Sequence, residues 1–225
     1  MNARTAVTGH RDTVDGALVV LLDEAGNAVG TAPKQSVHGA NTPLHLAFSC
    51  YVFDTDGRFL LTRRATGKRT WPGAWTNSFC GHPGPGEDIW EAVRRRAGQE
   101  LGVELRDLGL ALPGFRYRAV MANGMQENEM CPVFVAVTEA EVRPDRLEVD
   151  SFEWVNWPAF RADVLAGRRK ISPWCASQVA ELPGQISSVH LDEGDRTQLP
   201  AAARHRPVEP TAVSFGASAP GHRRE

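Results

Sequence analysis

No stretch of this chain is apolar enough to cross a membrane. A span needs roughly 20 consecutive apolar residues, and the longest run, Ala17 to Leu22, has the length of a strand. The N-terminal stretch MNARTAVTGHRDTVDG lacks the apolar segment that marks a secreted protein, so a cytoplasmic location is expected. Charge of one sign is not in excess either. A formal net charge of −2 gives no general attraction to nucleic acid or anionic lipid, so any anion site must be local. Cysteine is sparse: Cys50, Cys80, Cys131 and Cys175 form no C-x-x-C pair, which argues against a zinc finger or a thioredoxin motif. In a reducing compartment they are expected as free thiols, with Cys50, Cys131 and Cys175 as small buried hydrophobes. No internal repeat is present.

What is there suits one well-filled soluble domain: 225 residues, 42% hydrophobic and 23% charged. The first sixteen residues, 1–16, are polar and aperiodic, an expected flexible arm. ALVVLLDEAGNAVG reads as strand, turn, strand, and LHLAFSCYVFDTDGRFLLTRRA repeats the pattern around a turn at Asp54 to Gly57. A Gly/Pro-rich loop runs from Trp71 to Gly86. Glu87 to Leu101 is the clearest helix, with Gly102 placed to end it. Strands are expected at Leu112–Arg118, Glu129–Val137 and Ser151–Val155, and short helices near Pro158 and Pro173. The order implies a single α/β (α+β) domain over residues 17–182, a mixed β-sheet between helices. From Pro183 to the end, large apolar residues become few, and residues 183–225 read as a disordered tail.

The helix carries a conflict. Projected at roughly 100° per residue, Trp90, Val93, Ala97 and Leu101 form one apolar stripe beside Ile89. Arg96 and Glu100 fall on that inward side. An unpaired buried carboxylate is costly, so Glu100 needs a cation. Two readings remain open from periodicity: an i,i+4 ion pair at a core edge, or a metal ligand at Glu100 with Arg96 reaching an anion.

Of seven histidines, His10, His190, His205 and His222 lie in the expected arm and tail, while His38, His45 and His82 lie in the domain. In Glu127-Asn128-Glu129 the two carboxylates share one face if the segment is a strand, about 6.6 Å apart. Like charges that close repel unless a cation neutralises them. The alternative is a solvated loop. Three imidazoles with two carboxylates make a mixed set suited to Zn²⁺ or Mn²⁺.

LHLAFS, RRATGKRTWPGAWTNSFCGHP, FRYRA and ENEMCPVF together resemble the signature segments of type 1 isopentenyl-diphosphate isomerases, over about Leu18 to Leu182. GHPGPGEDIWEAVRRRAGQELGV, Gly81 to Val103, is similar to a degenerate Nudix box. That box ends in Arg-Glu, an apolar residue, any residue, then Glu-Glu. Arg95-Arg96 and Gln99-Glu100 stand there instead, which removes two acidic ligands used in diphosphate hydrolysis. The resemblance implies a Nudix-like fold and the conversion of isopentenyl diphosphate to dimethylallyl diphosphate. It implies Cys80 and Glu129 as acid/base residues on opposite faces of the substrate, with Tyr117 bonded to the glutamate. It implies His38, His45, His82, Glu127 and Glu129 as ligands of a tightly bound metal, and Glu100 as ligand of a Mg²⁺ that arrives with the diphosphate. Lys34, Arg64, Lys68 and Arg96 would bind the diphosphate, and Trp174 would line the isoprenoid pocket. The partner expected is this small molecule, with no nucleic acid and no membrane, on a monomer or weak dimer. Two other readings stand beside it: a Nudix hydrolase of a nucleoside diphosphate compound, and a non-catalytic Nudix-like binding module.

Overall fold

The computed structural model describes residues 17–186 and 194–204. The expected arm, 1–16, lies outside them, as do 187–193 and 205–225 of the expected tail. The chain opens with the antiparallel strands β1 (Leu18–Leu22) and β2 (Ala28–Pro33), followed by β3 (His45–Leu46), β4 (Phe48–Phe53) and β5 (Arg58–Arg64). Two short strands, β6 (Trp75–Thr76) and β7 (Phe79–Gly81), fall inside the stretch that its glycines and prolines suggest as loop. Helix α1 (Ile89–Leu101) is followed by β8 (Leu108–Leu112), β9 (Arg116–Val120), β10 (Gln126–Met130), β11 (Val133–Val137) and β12 (Val149–Asn156). Helices α2 (Trp157–Leu165) and α3 (Pro173–Glu181) complete the domain.

These strands form two sheets. One has the order β2-β1-β3-β10-β9; the other has β12-β5-β4-β11-β8, with β6 beside β5 and β7 beside β4. β4 and β11 pair in parallel and are wholly buried, as a strand covered on both faces must be. Alternation on β4 sorts the core. Phe48, Cys50 and Val52 face α1 with Trp90, Val93 and Ala97, whereas Tyr51 and Phe53 face α2 and α3 with Trp157, Phe160 and Val179. The second sheet is thus sandwiched between helices, as expected.

Three of the expected elements differ from the sequence reading. The expected strand Leu112–Arg118 is broken at 113–115, and the expected Glu129–Val137 is broken at Cys131-Pro132, where proline cannot donate to a ladder. α1 begins two residues later than expected because Asp88 is its N-cap, accepting from Trp90 N at 2.9 Å and Glu91 N at 3.3 Å. Gly102 ends it in the left-handed conformation, φ 66°, as the sequence suggests. Among the described residues no helix is long and apolar enough to cross a membrane.

The expectation of a disordered tail needs correcting for 194–204. Two short 3₁₀ turns, Arg196–Gln198 and Ala201–Ala203, lie against the N-terminal half of α1 and the β1–β2 turn. Leu199 and Ala203 are buried in the α1-side core. The Arg196 guanidinium sits 3.8 Å from the Trp90 ring centroid and 2.7 Å from Asp88 Oδ2. Average composition missed this because one leucine, one alanine and one arginine do the packing.

Candidate active site and metal centre

One cavity of about 290 Å³ opens between the two sheets and α1. Lys34, His38, Arg64, Lys68, Cys80, His82, Arg96, Glu100, Tyr117, Glu127, Glu129 and Trp174 line it, all of them singled out from sequence. The remaining candidate, His45, is fully buried behind the wall and reaches Glu129.

Strand register places Glu129. On β10 the buried positions alternate, so Glu127 and Glu129 share one face. The segment is a strand rather than a solvated loop. Glu129 stands opposite His45 on β3 and opposite Tyr117 on β9. Tyr117 Oη therefore donates to Glu129 Oε2 at 2.9 Å. On the other carboxylate oxygen three imidazoles converge: Nε2 of His82, His45 and His38 lie 3.2, 3.3 and 3.9 Å from Glu129 Oε1. His38 Nε2 is also 2.9 Å from Glu127 Oε2. Ligand atoms of His38, His45, His82 and Glu129 all lie within 4.8 Å of one another.

These residues fit a divalent cation. His45 Nδ1 is 2.9 Å from the Pro43 carbonyl oxygen, which only accepts, so Nδ1 carries the proton. In the neutral ring Nε2 is then a bare lone pair aimed at a carboxylate oxygen, a repulsive contact until a cation lies between them. Nε2 of His38 and of His45 and Nδ1 of His82 are buried without an oriented hydrogen bond. The charges of the cluster are strongly interdependent. Burial drives His82 down to about 3. Burial opposes charge on His38 too, but Glu127 and Glu129 overcome it and raise the ring to about 9. Burial and then the Glu129 charge push Glu127 up, while the three imidazoles outweigh burial at Glu129 and hold it well below the usual carboxylate range.

Cys80 lies on β7 beside this cluster, half-buried. Its Sγ is 3.3 Å from Ser49 Oγ and 3.3 Å from Asn77 Nδ2. Asn77 Oδ1 accepts from Trp174 Nε1 at 3.0 Å, which orients the amide. Burial lifts the Cys80 thiol to about 11 against the lowering effect of Ser49 and Asn77, so it is a thiol rather than a thiolate at neutral pH. Gly81 follows because nothing larger fits. A Cβ there would meet the Phe48 ring at 2.7 Å and Arg96 Cγ at 2.8 Å. Trp174 walls the apolar side with Tyr117, ring centroids 5.7 Å apart, and with Trp71 at 5.3 Å. Trp71 holds φ at 43°, a strained value for a tryptophan, in the loop that carries Lys68 and Thr70.

The far end is basic. Arg64 is fixed by the Thr70 carbonyl, with Nη2 donating at 2.9 Å. Arg96 Nε donates to Glu100 Oε1 at 3.0 Å, which makes the inward pair suggested by periodicity real. Burial lowers Lys34 to about 8. Glu148 bonds Lys68 and lies 3.3 Å from Arg96 Nη2. Sequence reasoning passed over Glu148, which follows a run without periodicity, and over Asn77, Thr70 and Ser49, although these three lie within quoted motifs. A carboxylate such as Glu100 among cations suits a hard cation that arrives with its own anion.

Residues 43–175 match the NUDIX domain family. The isopentenyl-diphosphate Delta-isomerase of Saccharopolyspora erythraea is 60% identical over 164 residues, covering 73% of this chain and 84% of its own. The chain belongs to the isopentenyl-diphosphate Delta-isomerase family. The Agromyces mediolanus member is 56% identical over 181 residues, 80% of this chain and 87% of its own. A crystal structure from Deinococcus radiodurans, 19% identical, superposes with a TM-score of 0.57 over 73% of this chain and 98% of that one, and supports the fold alone. In this family member two of the box positions that bear acids in the Nudix pattern are Arg96 and Gln99, and the third keeps its acid as Glu100. Gln99 is exposed and accepts from Arg95 and Arg96, and Arg95 also pairs with Glu87.

Proposed function

We propose that this enzyme converts isopentenyl diphosphate to dimethylallyl diphosphate, in the cytoplasm and as a monomer or weak dimer. The observation that carries the reading is the cavity itself. It sets a thiol and a tyrosine-bonded carboxylate between a histidine cluster and a group of cationic side chains. A 1,3-shift of the double bond adds a proton at C4 and removes one from C2. Two groups on opposite faces carry this out if one can donate and the other accept. Cys80, a thiol at neutral pH, and Glu129, with Tyr117 Oη on its second oxygen, are that pair. Protonation leaves a tertiary cation at C3, and the faces of Trp174 and Tyr117 shield it from water.

His38, His45, His82 and Glu129, with Glu127 beside them, would hold one Zn²⁺ or Mn²⁺. When bound, such a cation polarises the Glu129 carboxylate and shifts its proton affinity. Glu100 would meet a Mg²⁺ carried by the diphosphate. Lys34, Arg64, Lys68 and Arg96 would bind the phosphate oxygens. A nucleoside diphosphate hydrolase is the weaker reading, since the acidic pair it needs is absent from α1.

The test is direct. Purified protein with isopentenyl diphosphate and Mg²⁺ should yield the allylic isomer and no free phosphate. Cys80→Ala should keep its fold by circular dichroism and lose turnover by about 10³-fold, within the range of acid/base catalysis. Phosphate release by the wild type, or full isomerase activity in Cys80→Ala, would overturn the assignment.

A further inference from the structure

Lys34, Arg64, Lys68, Arg69 and Arg96 line the basic end of the cavity, and one carboxylate, Glu148, already engages two of them. Lys68 Nζ bonds Glu148 Oε2, and Arg96 Nη2 lies 3.3 Å from Glu148 Oε1. Arg96 also donates to Glu100. Glu148 is not a loose surface chain. Its N–H donates to the Asp145 carbonyl at 3.0 Å, and its own carbonyl accepts from Ala65 N at 3.0 Å. Asp145 N in turn donates to the Glu100 carbonyl at 2.9 Å. One backbone relay therefore ties Glu148 both to the end of α1 and to the loop that carries Lys68. The carboxylate stands where an incoming anion would compete for the same two cations.

This arrangement has opposite consequences for two ligands. A bare diphosphate that takes Lys68 and Arg96 strips Glu148 of its partners and leaves a half-buried carboxylate facing another anion, which is unfavourable. A diphosphate that carries Mg²⁺ brings a replacement cation. Hard carboxylate oxygens suit Mg²⁺, directly or through its retained waters. The displaced carboxylate is then satisfied again. We propose that Glu148 is a specificity-determining residue of the anion site: by occupying Lys68 and Arg96, it makes the cavity select Mg²⁺-loaded diphosphate over the bare anion. The inference rests on the diphosphate reading above.

The experiment is calorimetric titration of the full-length, metal-replete protein with inorganic pyrophosphate, first in Mg²⁺-depleted buffer and then with excess Mg²⁺. Wild type should bind the Mg²⁺ form at least tenfold more tightly. In Glu148→Gln, which keeps the shape and loses the charge, this preference should shrink at least tenfold, chiefly because bare pyrophosphate binds more tightly. Glu148→Asp keeps the charge and should keep most of the preference, so the pair separates charge from local damage. An unchanged preference in Glu148→Gln, or an equal collapse in Glu148→Asp, would overturn the proposal. Absence of pyrophosphate binding to wild type in both buffers would instead overturn the diphosphate reading itself.

Discussion

The two ends of the cavity are built on opposite plans. At the histidine end, three imidazoles crowd one carboxylate: His82 Nε2 hydrogen-bonds Glu129 Oε1 at 3.2 Å, His45 Nε2 stands 3.3 Å from the same oxygen, and Nε2 of His38 and of His45 and Nδ1 of His82 lack oriented partners. At the basic end, Glu148 and Glu100 answer the charges of Lys68 and Arg96. The first end packs buried ring nitrogens and two carboxylates into a set that a cation would satisfy. The second is satisfied internally and must exchange partners when an anion enters. A permanent cofactor and a transient substrate would call for this difference. A resident cation can be needed for stability, whereas a substrate site has to be stable without its ligand.

Substitution should separate the two ends. His45→Ala at the first end removes an imidazole from the centre of the cluster. It should lower turnover by about 10²-fold or more, on the scale of lost metal affinity. It should also lower the melting temperature, because Glu127 and Glu129 are left as close, buried like charges. Turnover and calorimetry with added Zn²⁺ or Mn²⁺ check both effects. An unchanged melting temperature would mean that the histidine end is not a stabilising metal centre. Glu100→Gln at the second end should behave oppositely. The melting temperature should hold or rise slightly, because a buried charge is removed and Arg96 keeps Glu148. The Mg²⁺ concentration for half-maximal turnover should rise about tenfold, equivalent to about 1.4 kcal/mol. Identical Mg²⁺ titrations for the two proteins would make Glu100 a structural ion-pair residue only.

A third contrast sets the cavity against the segment 194–204. Leu199→Ala should cost about 2–5 kcal/mol of unfolding free energy, as for a buried leucine, and leave the KM for substrate near its wild-type value. Denaturant unfolding and steady-state kinetics test the pair. A negligible stability loss would restore the view of this segment as a dispensable tail.

The smallest effect concerns pH. Burial brings Lys34 down to about 8 from an ordinary 10.5. Its charge in the fold is therefore lost as pH rises through about 8, and one cation of the basic end goes with it. The folded state is penalised while Lys34 is charged, and that penalty fades between about 8 and 10.5. kcat/KM, which reports free-enzyme groups, should fall above pH 8 in the wild type. Lys34→Arg stays charged and should move that limb upward. A limb that does not move would assign it to another group.

The parts of the site that were legible in the sequence share a reason. Glu100 and Arg96 broke a helical pattern, and the burial of a charge leaves such a mark. Glu127 and Glu129 were spaced for one face of a strand. His38, His45 and His82 showed little by spacing, and their shared site was assigned through resemblance, because long-range contacts such as the pairing of β3 with β10, which sets His45 opposite Glu129, bring them together. Glu148 was illegible for a related reason. It sits in a connection, and its partners Lys68 and Arg96 are remote in sequence. The turns at 194–204 were missed because composition averages over a window, while packing depends on single residues such as Leu199. The central helix and its end at Gly102 came from local signals, which a sequence carries most plainly, whereas the N-cap at Asp88 emerged only from the structure.

The central claim is that Cys80 and Glu129 move protons at two carbons of an intact diphosphate. Its most direct test is the reaction of isopentenyl diphosphate with the Mg²⁺-supplemented enzyme in D₂O, followed by ¹H and ²H NMR. The account predicts dimethylallyl diphosphate with solvent deuterium in a methyl group. Neither that product nor deuterium in the recovered substrate should form with Cys80→Ala or Glu129→Gln. Unlabelled substrate together with inorganic phosphate, or equal deuterium incorporation in the wild type and both variants, would contradict it.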